Sequence, residues 1–279
     1  MTPIGVFDSG YGGLTVLSEI RRHLPEYDYL YLGDNARAPY GPRSFERVYE
    51  FTLQAVRRLF DMGCPLVILA CNTASAKALR TIQQRDLPQL FPPIGDEQLP
   101  SRRVLGVIRP TAEIIGRLTR SRHVGIVATQ GTVSSRTYEL EIAKLCPDVV
   151  VTSQACPMWV PLVENGEADS PGADYFVRRD LQRLIQTDPL IDTIILGCTH
   201  FPLLLNKVRA YAPTHVQIVS QGKYVATSLI DYLNRHTELQ RQLSRTSSVR
   251  FLTTDDPTQF AASATLFVGH TVEANKITL

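Results

Sequence analysis

The sequence predicts an α/β fold of two similar doubly wound parallel-sheet domains related by pseudo-two-fold symmetry, with a shared cleft between them as the candidate active site. Two observations carry this expectation. Short apolar runs alternate with segments of helical periodicity, the pattern of βαβ units and a parallel sheet. The two halves of the chain also echo each other. Ile4-Gly5-Val6-Phe7-Asp8-Ser9-Gly10 resembles Val124-Gly125-Ile126-Val127-Ala128-Thr129-Gln130-Gly131, and Val67-Ile68-Leu69-Ala70-Cys71-Asn72-Thr73 resembles Ile194-Ile195-Leu196-Gly197-Cys198-Thr199-His200. The offsets, 120 residues from Ile4 to Val124 and 127 from Val67 to Ile194, are nearly equal, as a duplicated unit requires.

In chain order, Ile4 to Phe7 reads as a compact strand, and the turn Asp8-Ser9-Gly10-Tyr11-Gly12-Gly13 leads into a helix with Val16, Leu17, Ile20 and Leu24 on its apolar face. Tyr29 to Leu32 is a second strand. Ser44 is placed to cap a helix carrying Val48, Phe51, Ala55 and Leu59, with Gly63 past its end. Leu66 to Ala70 is a third strand, followed by a helix from about Ser75. Pro88, Pro92, Pro93 and Pro100 with Gly95 mark Leu87 to Pro100 as a loop or linker. Strands then follow at Val104 to Ile108 and Val124 to Val127, a helix at Ser134 to Leu145, and extended chain at Val149 to Thr152. Helices at Tyr175 to Gln186 and Leu203 to Tyr211 flank a strand at Thr193 to Leu196. From Val216 onward come a further strand and helix, then a short strand at Val249 to Leu252.

Composition excludes several classes. Hydrophobic residues are 44% and charged residues 20% of 279, which suits a globular protein and not a disordered, collagen-like or coiled-coil one. No apolar run approaches the roughly 18 residues that span a bilayer, so no membrane association is expected. A formal charge of +2 without a long Lys/Arg run gives no electrostatic reason to expect nucleic acid. Met1 to Asp8 lacks the features of a signal peptide, so the expected compartment is the cytoplasm, with reduced thiols. The five cysteines form no CxxC pair, and no metal site is expected.

Ligands of open parallel sheets bind beyond the carboxyl ends of the strands. Cys71 and Cys198 each end an apolar strand and enter a polar turn opening a helix, whose N-terminus is expected to lower a thiol pKa from its usual value near 8.5. Cys64, Cys146 and Cys156 have no such echo and read as small buried hydrophobes. Two facing domains would present Cys71 and Cys198 to one cleft from opposite sides. Two acid/base groups on opposite faces of one carbon suit stereoinversion, one taking the α-proton and the other returning one. The Asp8–Gly13 turn offers backbone N–H groups to a carboxylate or phosphate, and Asn72-Thr73 and Thr199-His200 add side-chain donors. Asp8 and His200 are candidate partners for proton transfer. Asp8 also reads as a plain helix N-cap, and His200 as a histidine satisfied at a strand end.

Several motifs together, in order along most of the chain, resemble glutamate racemase. They are Asp8-Ser9-Gly10-Tyr11-Gly12-Gly13-Leu14-Thr15-Val16, Tyr31-Leu32-Gly33-Asp34, Pro39-Tyr40-Gly41, Ala70-Cys71-Asn72-Thr73-Ala74, Ala128-Thr129-Gln130-Gly131-Thr132-Val133, Val160-Pro161-Leu162-Val163-Glu164 and Leu196-Gly197-Cys198-Thr199-His200-Phe201-Pro202-Leu203. The resemblance implies an isomerase that needs no cofactor, interconverts L- and D-glutamate, supplies D-glutamate for peptidoglycan and works as a homodimer. It implies that Cys71 deprotonates D-glutamate and Cys198 L-glutamate, assisted by Asp8, Glu164 and His200. It further implies substrate contacts from Asp8, Ser9, Tyr40, Gly41, Asn72, Thr73, Thr132, Thr199 and His200. In this family the C-terminal segment returns to the first domain, so residues 1–100 and 212–279 are expected to form one domain and 101–211 the other.

One departure stands out. Ser220-Gln221-Gly222 lies where many family members read Asp-Ser-Gly, a place to which no catalytic role is attached. Alternatives on the same residues are a racemase for aspartate, separated by the reach to the distal carboxylate, and a Cys-dependent hydrolase, which would leave the second thiol unexplained. A non-catalytic protein-binding module has no supporting feature.

Overall fold

A computed structural model describes residues 2–92 and 101–279. Among the described residues, the strands are β1 (Ile4–Asp8), β2 (Tyr29–Gly33), β3 (Leu66–Leu69), β4 (Arg103–Gly106), β5 (His123–Ala128), β6 (Val150–Ala155), β7 (Thr193–Gly197), β8 (Gln217–Val219), β9 (Val249–Thr253) and β10 (Ala274–Lys276). They form a six-stranded sheet, β10-β9-β2-β1-β3-β4, and a four-stranded sheet, β6-β5-β7-β8. Every pairing is parallel. The inner order β2-β1-β3-β4 recurs strand for strand as β6-β5-β7-β8, so β1 corresponds to β5 and β3 to β7. This is the duplication that the two sequence echoes predict.

Both faces of each sheet are covered, which explains why the strands read as continuous apolar runs instead of alternating ones. In the first sheet Ile4, Val6, Tyr29, Tyr31 and Ile68 pack with Leu14, Leu17 and Ile20 of the helix Gly13–His23 and Leu229 of the helix Gly222–Arg235. The alternate residues Phe7, Leu30, Leu32, Val67 and Leu69 meet Val48, Ala55 and Leu59 of the helix Phe45–Asp61 on the other face. Ser44 caps that helix by accepting from the Arg47 N–H at 3.3 Å, and Gly63, at φ +89°, follows its end as expected. No helix among the described residues is long and apolar enough to cross a membrane.

The expected domain boundaries each misplace one strand. β4 lies beyond the proline-rich segment, in the range given to the second domain, yet it pairs with β3 in the first sheet. β8 lies in the range given to the first domain and pairs with β7 in the second. The physical reason is shared: a fourth parallel strand adds to the open edge beside the third, whatever the composition of the connection. The chain therefore changes sheets after β4 and again after β8.

Smaller corrections concern element ends. The strand expected to reach Ile108 stops at Gly106, and Ile108–Leu118 is a helix. The helix expected from Ser134 is two, Gln130–Ser135 and Thr137–Leu145, broken where Arg136 takes a left-handed conformation at φ +53°. Of the expected linker, Leu87–Leu90 is helical, since Pro88 sits in a first turn where no N–H is required, and residues 93–100 lie outside the described residues.

In the order β2-β1-β3-β4 the connections leave β1 on opposite sides, so the topological switch point, where open parallel sheets bind ligands, lies between the carboxyl ends of β1 and β3. Asp8 and Cys71 flank it. The equivalent crevice between β5 and β7 is flanked by Thr129 and Cys198.

Candidate active site

Cys71 is the N-cap of the helix Asn72–Lys77, its sulfur 3.4 Å from the Ala74 N–H that it accepts, so that helix begins three residues before the expected Ser75. The Ser9 hydroxyl lies 3.4 Å from the same sulfur. The helix terminus does not lower the thiol pKa as expected. Burial, and then the nearby Asp8 carboxylate, outweigh the hydrogen bonds from Ser9 and Ala74, and the thiol is pushed up to about 12. Cys71 is therefore protonated at neutral pH.

Cys198 is equally buried, at 6% exposure, but has a different partner. Its sulfur lies 3.8 Å from His200 Nδ1, and His200 Nε2 lies 2.8 Å from Glu164 Oε1. Glu164 comes from the end of the helix Trp159–Glu164, against which Phe201 packs through a tilted contact with Trp159 at 4.7 Å between ring centroids. Burial would lower the His200 pKa, yet the hydrogen bonds to Cys198 and Glu164 reverse this and raise it to about 10. The imidazolium then donates one N–H to the carboxylate and aims the other at sulfur. Phe267 of the helix Pro257–Val268 meets this ring edge to face at 5.4 Å, holding its plane.

Asp8 is 1% exposed. Its Oδ2 accepts from the Gly10 N–H at 3.0 Å and from the Tyr31 hydroxyl at 3.4 Å, whereas Oδ1 is buried without a partner. Burial raises its pKa, opposed chiefly by the positive charge of His200. An unpartnered carboxylate oxygen costs stability and marks a position kept for another purpose.

The two halves meet closely here. The Thr15 hydroxyl donates to the Thr199 carbonyl at 2.9 Å. A Cβ on Gly12 would stand 2.5 Å from Thr199 Oγ1, 2.6 Å from His200 Cε1 and closer still to Nδ1. Thr73, Thr129 and Thr132 form a triangle of hydroxyls across the same junction, with oxygens 2.9 Å apart for Thr73–Thr129, 3.4 Å for Thr73–Thr132 and 3.1 Å for Thr129–Thr132. Gly41 faces Thr129, where an added Cβ would lie 3.3 Å from the threonine Cβ.

Two of the expected contact residues are hydrogen-bonded within the protein. The Tyr40 phenol is buried in the first domain and donates to Asp34 Oδ2 at 2.5 Å, beside the Arg37 Nε contact at 2.7 Å. Tyr40→Phe should therefore lower stability by about 1–3 kcal/mol, the usual result of leaving a buried polar group short of a partner; a denaturation midpoint equal to the wild type's would refute this role. Asn72 is held by Gln221 and Tyr138 through its Nδ2 and Oδ1. Thr129, Tyr31, Tyr138, Gln221 and Phe267 were given no role from sequence. Thr129 and Tyr31 left a trace there within the quoted motifs, and Gln221 as part of the departing Ser220-Gln221-Gly222 segment.

The model of the Asp/Glu/hydantoin racemase family matches residues 15–229. A glutamate racemase of Roseobacter denitrificans is 40% identical over 280 residues, covering 97% of this chain and 98% of that protein. One from Bacillus cereus is likewise 40% identical, over 97% of this chain and 94% of its own. Among solved structures, a glutamate racemase isoform of Bacillus anthracis superposes with a TM-score of 0.87 at 35% identity, over 100% of this chain and 98% of that one. The Francisella tularensis glutamate racemase in complex with D-glutamate gives 0.85 at 28%, over 99% and 97%. A Picrophilus torridus aspartate racemase, at 16% identity and a TM-score of 0.54 over 86% of this chain and 99% of that one, shares the fold alone.

Proposed function

Since the chain belongs to the Asp/Glu/hydantoin racemase family, we propose that it interconverts L- and D-glutamate by direct proton exchange at the α-carbon, with Cys71 and Cys198 as the two acid/base groups. The observation that carries this reading is the placement of one thiol at the switch point of each duplicated sheet. An α-carbon held between them has a sulfur on either face. One thiolate removes the proton, and the opposing thiol delivers its own to the other face, which inverts the centre.

The two thiols have unlike partners, which suits them to act in turn as base and acid. Cys71, protonated by burial, is set to give a proton, the step that completes L- to D-conversion. On the other side the His200 imidazolium, steadied by Glu164, stabilises sulfur when it is negative. The Asp8 carboxylate interacts electrostatically with both Cys71 and His200 and carries the free oxygen that a substrate ammonium would meet. The hydroxyls of Thr73, Thr129 and Thr132, with Thr199 and the Gly41 segment, are donors for carboxylates. Glutamate is favoured over aspartate because the relatives named for glutamate match nearly the whole chain at 35–40% identity, whereas the aspartate racemase shares only the fold. The same reading takes D-glutamate as a supply for peptidoglycan, the cytoplasm as the compartment and a homodimer as the working form; sedimentation analysis would test the last.

The test of the reaction is proton NMR of L-glutamate with purified protein in D₂O without added cofactor, paired with a chiral assay. Loss of the α-proton signal with appearance of D-glutamate is the expected result. Silence with glutamate and exchange with aspartate would move the assignment to the shorter acid.

A pH dependence follows from His200. Its folded pKa, about 10, lies above the ordinary 6.5, so the stability that its charged contacts contribute is complete below about pH 6.5, is drawn down as pH rises, and is gone above about pH 10. Turnover follows the folded protonation state and should fall as pH rises through about 10. Rates that stay flat from pH 7 to about 11 would show that the imidazolium is not required.

A further inference from the structure

The chain passes between the sheets at two places, after β4 into the helix Ile108–Leu118 and after β8 into the helix Gly222–Arg235. Gln221 stands at the second crossing, 3% exposed, and its carboxamide reaches across to the first. Nε2 lies 3.1 Å from the Val107 carbonyl, 3.2 Å from Thr111 Oγ1 and 2.5 Å from the Tyr138 hydroxyl. Oε1 accepts from Asn72 Nδ2 at 2.8 Å, and the Tyr138 hydroxyl donates to Asn72 Oδ1 at 2.8 Å. Gln221, Tyr138 and Asn72 thus close a buried ring of hydrogen bonds.

The polarity of that ring is dictated from one point. A backbone carbonyl only accepts, so Gln221 must turn its NH₂ toward Val107, which leaves its oxygen facing Asn72. Asn72 must then answer with its own NH₂, and its oxygen takes the single proton of Tyr138. Burial holds that phenol in its protonated, donating form. Asn72 follows Cys71 directly and, after its bond to Gln221, keeps one Nδ2 proton to give.

We propose that Gln221 is a positioning residue for the racemase: it holds the Asn72 amide with its NH₂ as donor for a substrate carboxylate and ties that setting to both interdomain crossings. This rests on reading Asn72 as a substrate contact.

The test compares the full-length wild type with Gln221→Met, Tyr138→Phe and the double variant. Methionine keeps length and volume while removing all four contacts. The expected result for each single variant is a roughly tenfold rise in KM for both enantiomers with a smaller change in kcat, as for one lost carboxylate contact. The double variant should be no worse than the worse single one, because both act through one amide. Unchanged KM with only a lowered melting temperature, or strictly additive effects, would overturn the proposal. A readout independent of turnover is the ¹⁵N–¹H signal of the Asn72 side chain. Slow exchange in the wild type that becomes fast in Gln221→Met, or in Tyr138→Phe if the first variant fails to fold, supports the clamp even if glutamate proves not to be the substrate. Equal exchange in wild type and variant would overturn it.

Discussion

Replacement of Cys71 or of Cys198 by alanine should abolish racemisation in both directions, with losses of roughly a thousandfold or more, since an acid/base group acting in the transition state is removed outright. Inversion needs a proton taken from one face and another returned to the opposite face, so neither thiol substitutes for the other. The duplicated topology fits this requirement, because the two sulfurs stand at the ends of strands in different sheets. Neither substitution should unfold the protein, because each deletes one small buried sulfur at a strand end. Circular dichroism of each variant started from pure L- and from pure D-glutamate reads the result. Any α-proton exchange into deuterium that survives should be confined to one enantiomer, the one facing the remaining thiol. A single-cysteine variant that racemises at more than a tenth of the wild-type rate would sink the two-thiol mechanism.

Gly12→Ala should be the most damaging substitution of a residue that does no chemistry, with a fall in kcat of roughly a hundredfold. Its backbone, at φ −58° and ψ −34°, suits any residue, so the cost is one of space alone. The new methyl group would overlap the His200 ring and the Thr199 hydroxyl. Either the ring turns from the line joining Cys198 to Glu164, or the two halves part and the Thr15–Thr199 bond breaks. Both displace acid/base groups by a sizeable fraction of an ångström. Kinetics with a melting curve separates this from unfolding: the expected variant melts cooperatively and turns over poorly. Wild-type kcat in Gly12→Ala would show that the contact between the Gly12 turn and His200 is dispensable.

Much of the fold was legible because parallel strands buried on both faces must be apolar throughout, and the echo of Ile4–Gly10 in Val124–Gly131 exposed the duplication. The thiols were legible for a related reason: a cysteine closing such a strand lies at the rim where ligands bind. The positions of β4 and β8 were not, since a strand's neighbour is chosen by which sheet edge stands open, and a proline-rich connection carries no information about that. The ring of Gln221, Tyr138 and Asn72 was hidden as well. Its members lie 66 to 149 residues apart, and nothing in any one of them announces the others.

By itself the sequence determined the class of fold and its duplication and singled out the two thiols proposed to react, because burial periodicity and side-chain type are local properties of the chain. Only the tertiary structure decided which partners surround those groups. Two similar, equally buried strand-end cysteines gained different neighbours: Cys71 sits beside Asp8, whereas Cys198 is aligned with the His200 ring that Glu164 holds. A charge state depends on distance, burial and neighbouring charge, and these exist only once distant segments have been brought together.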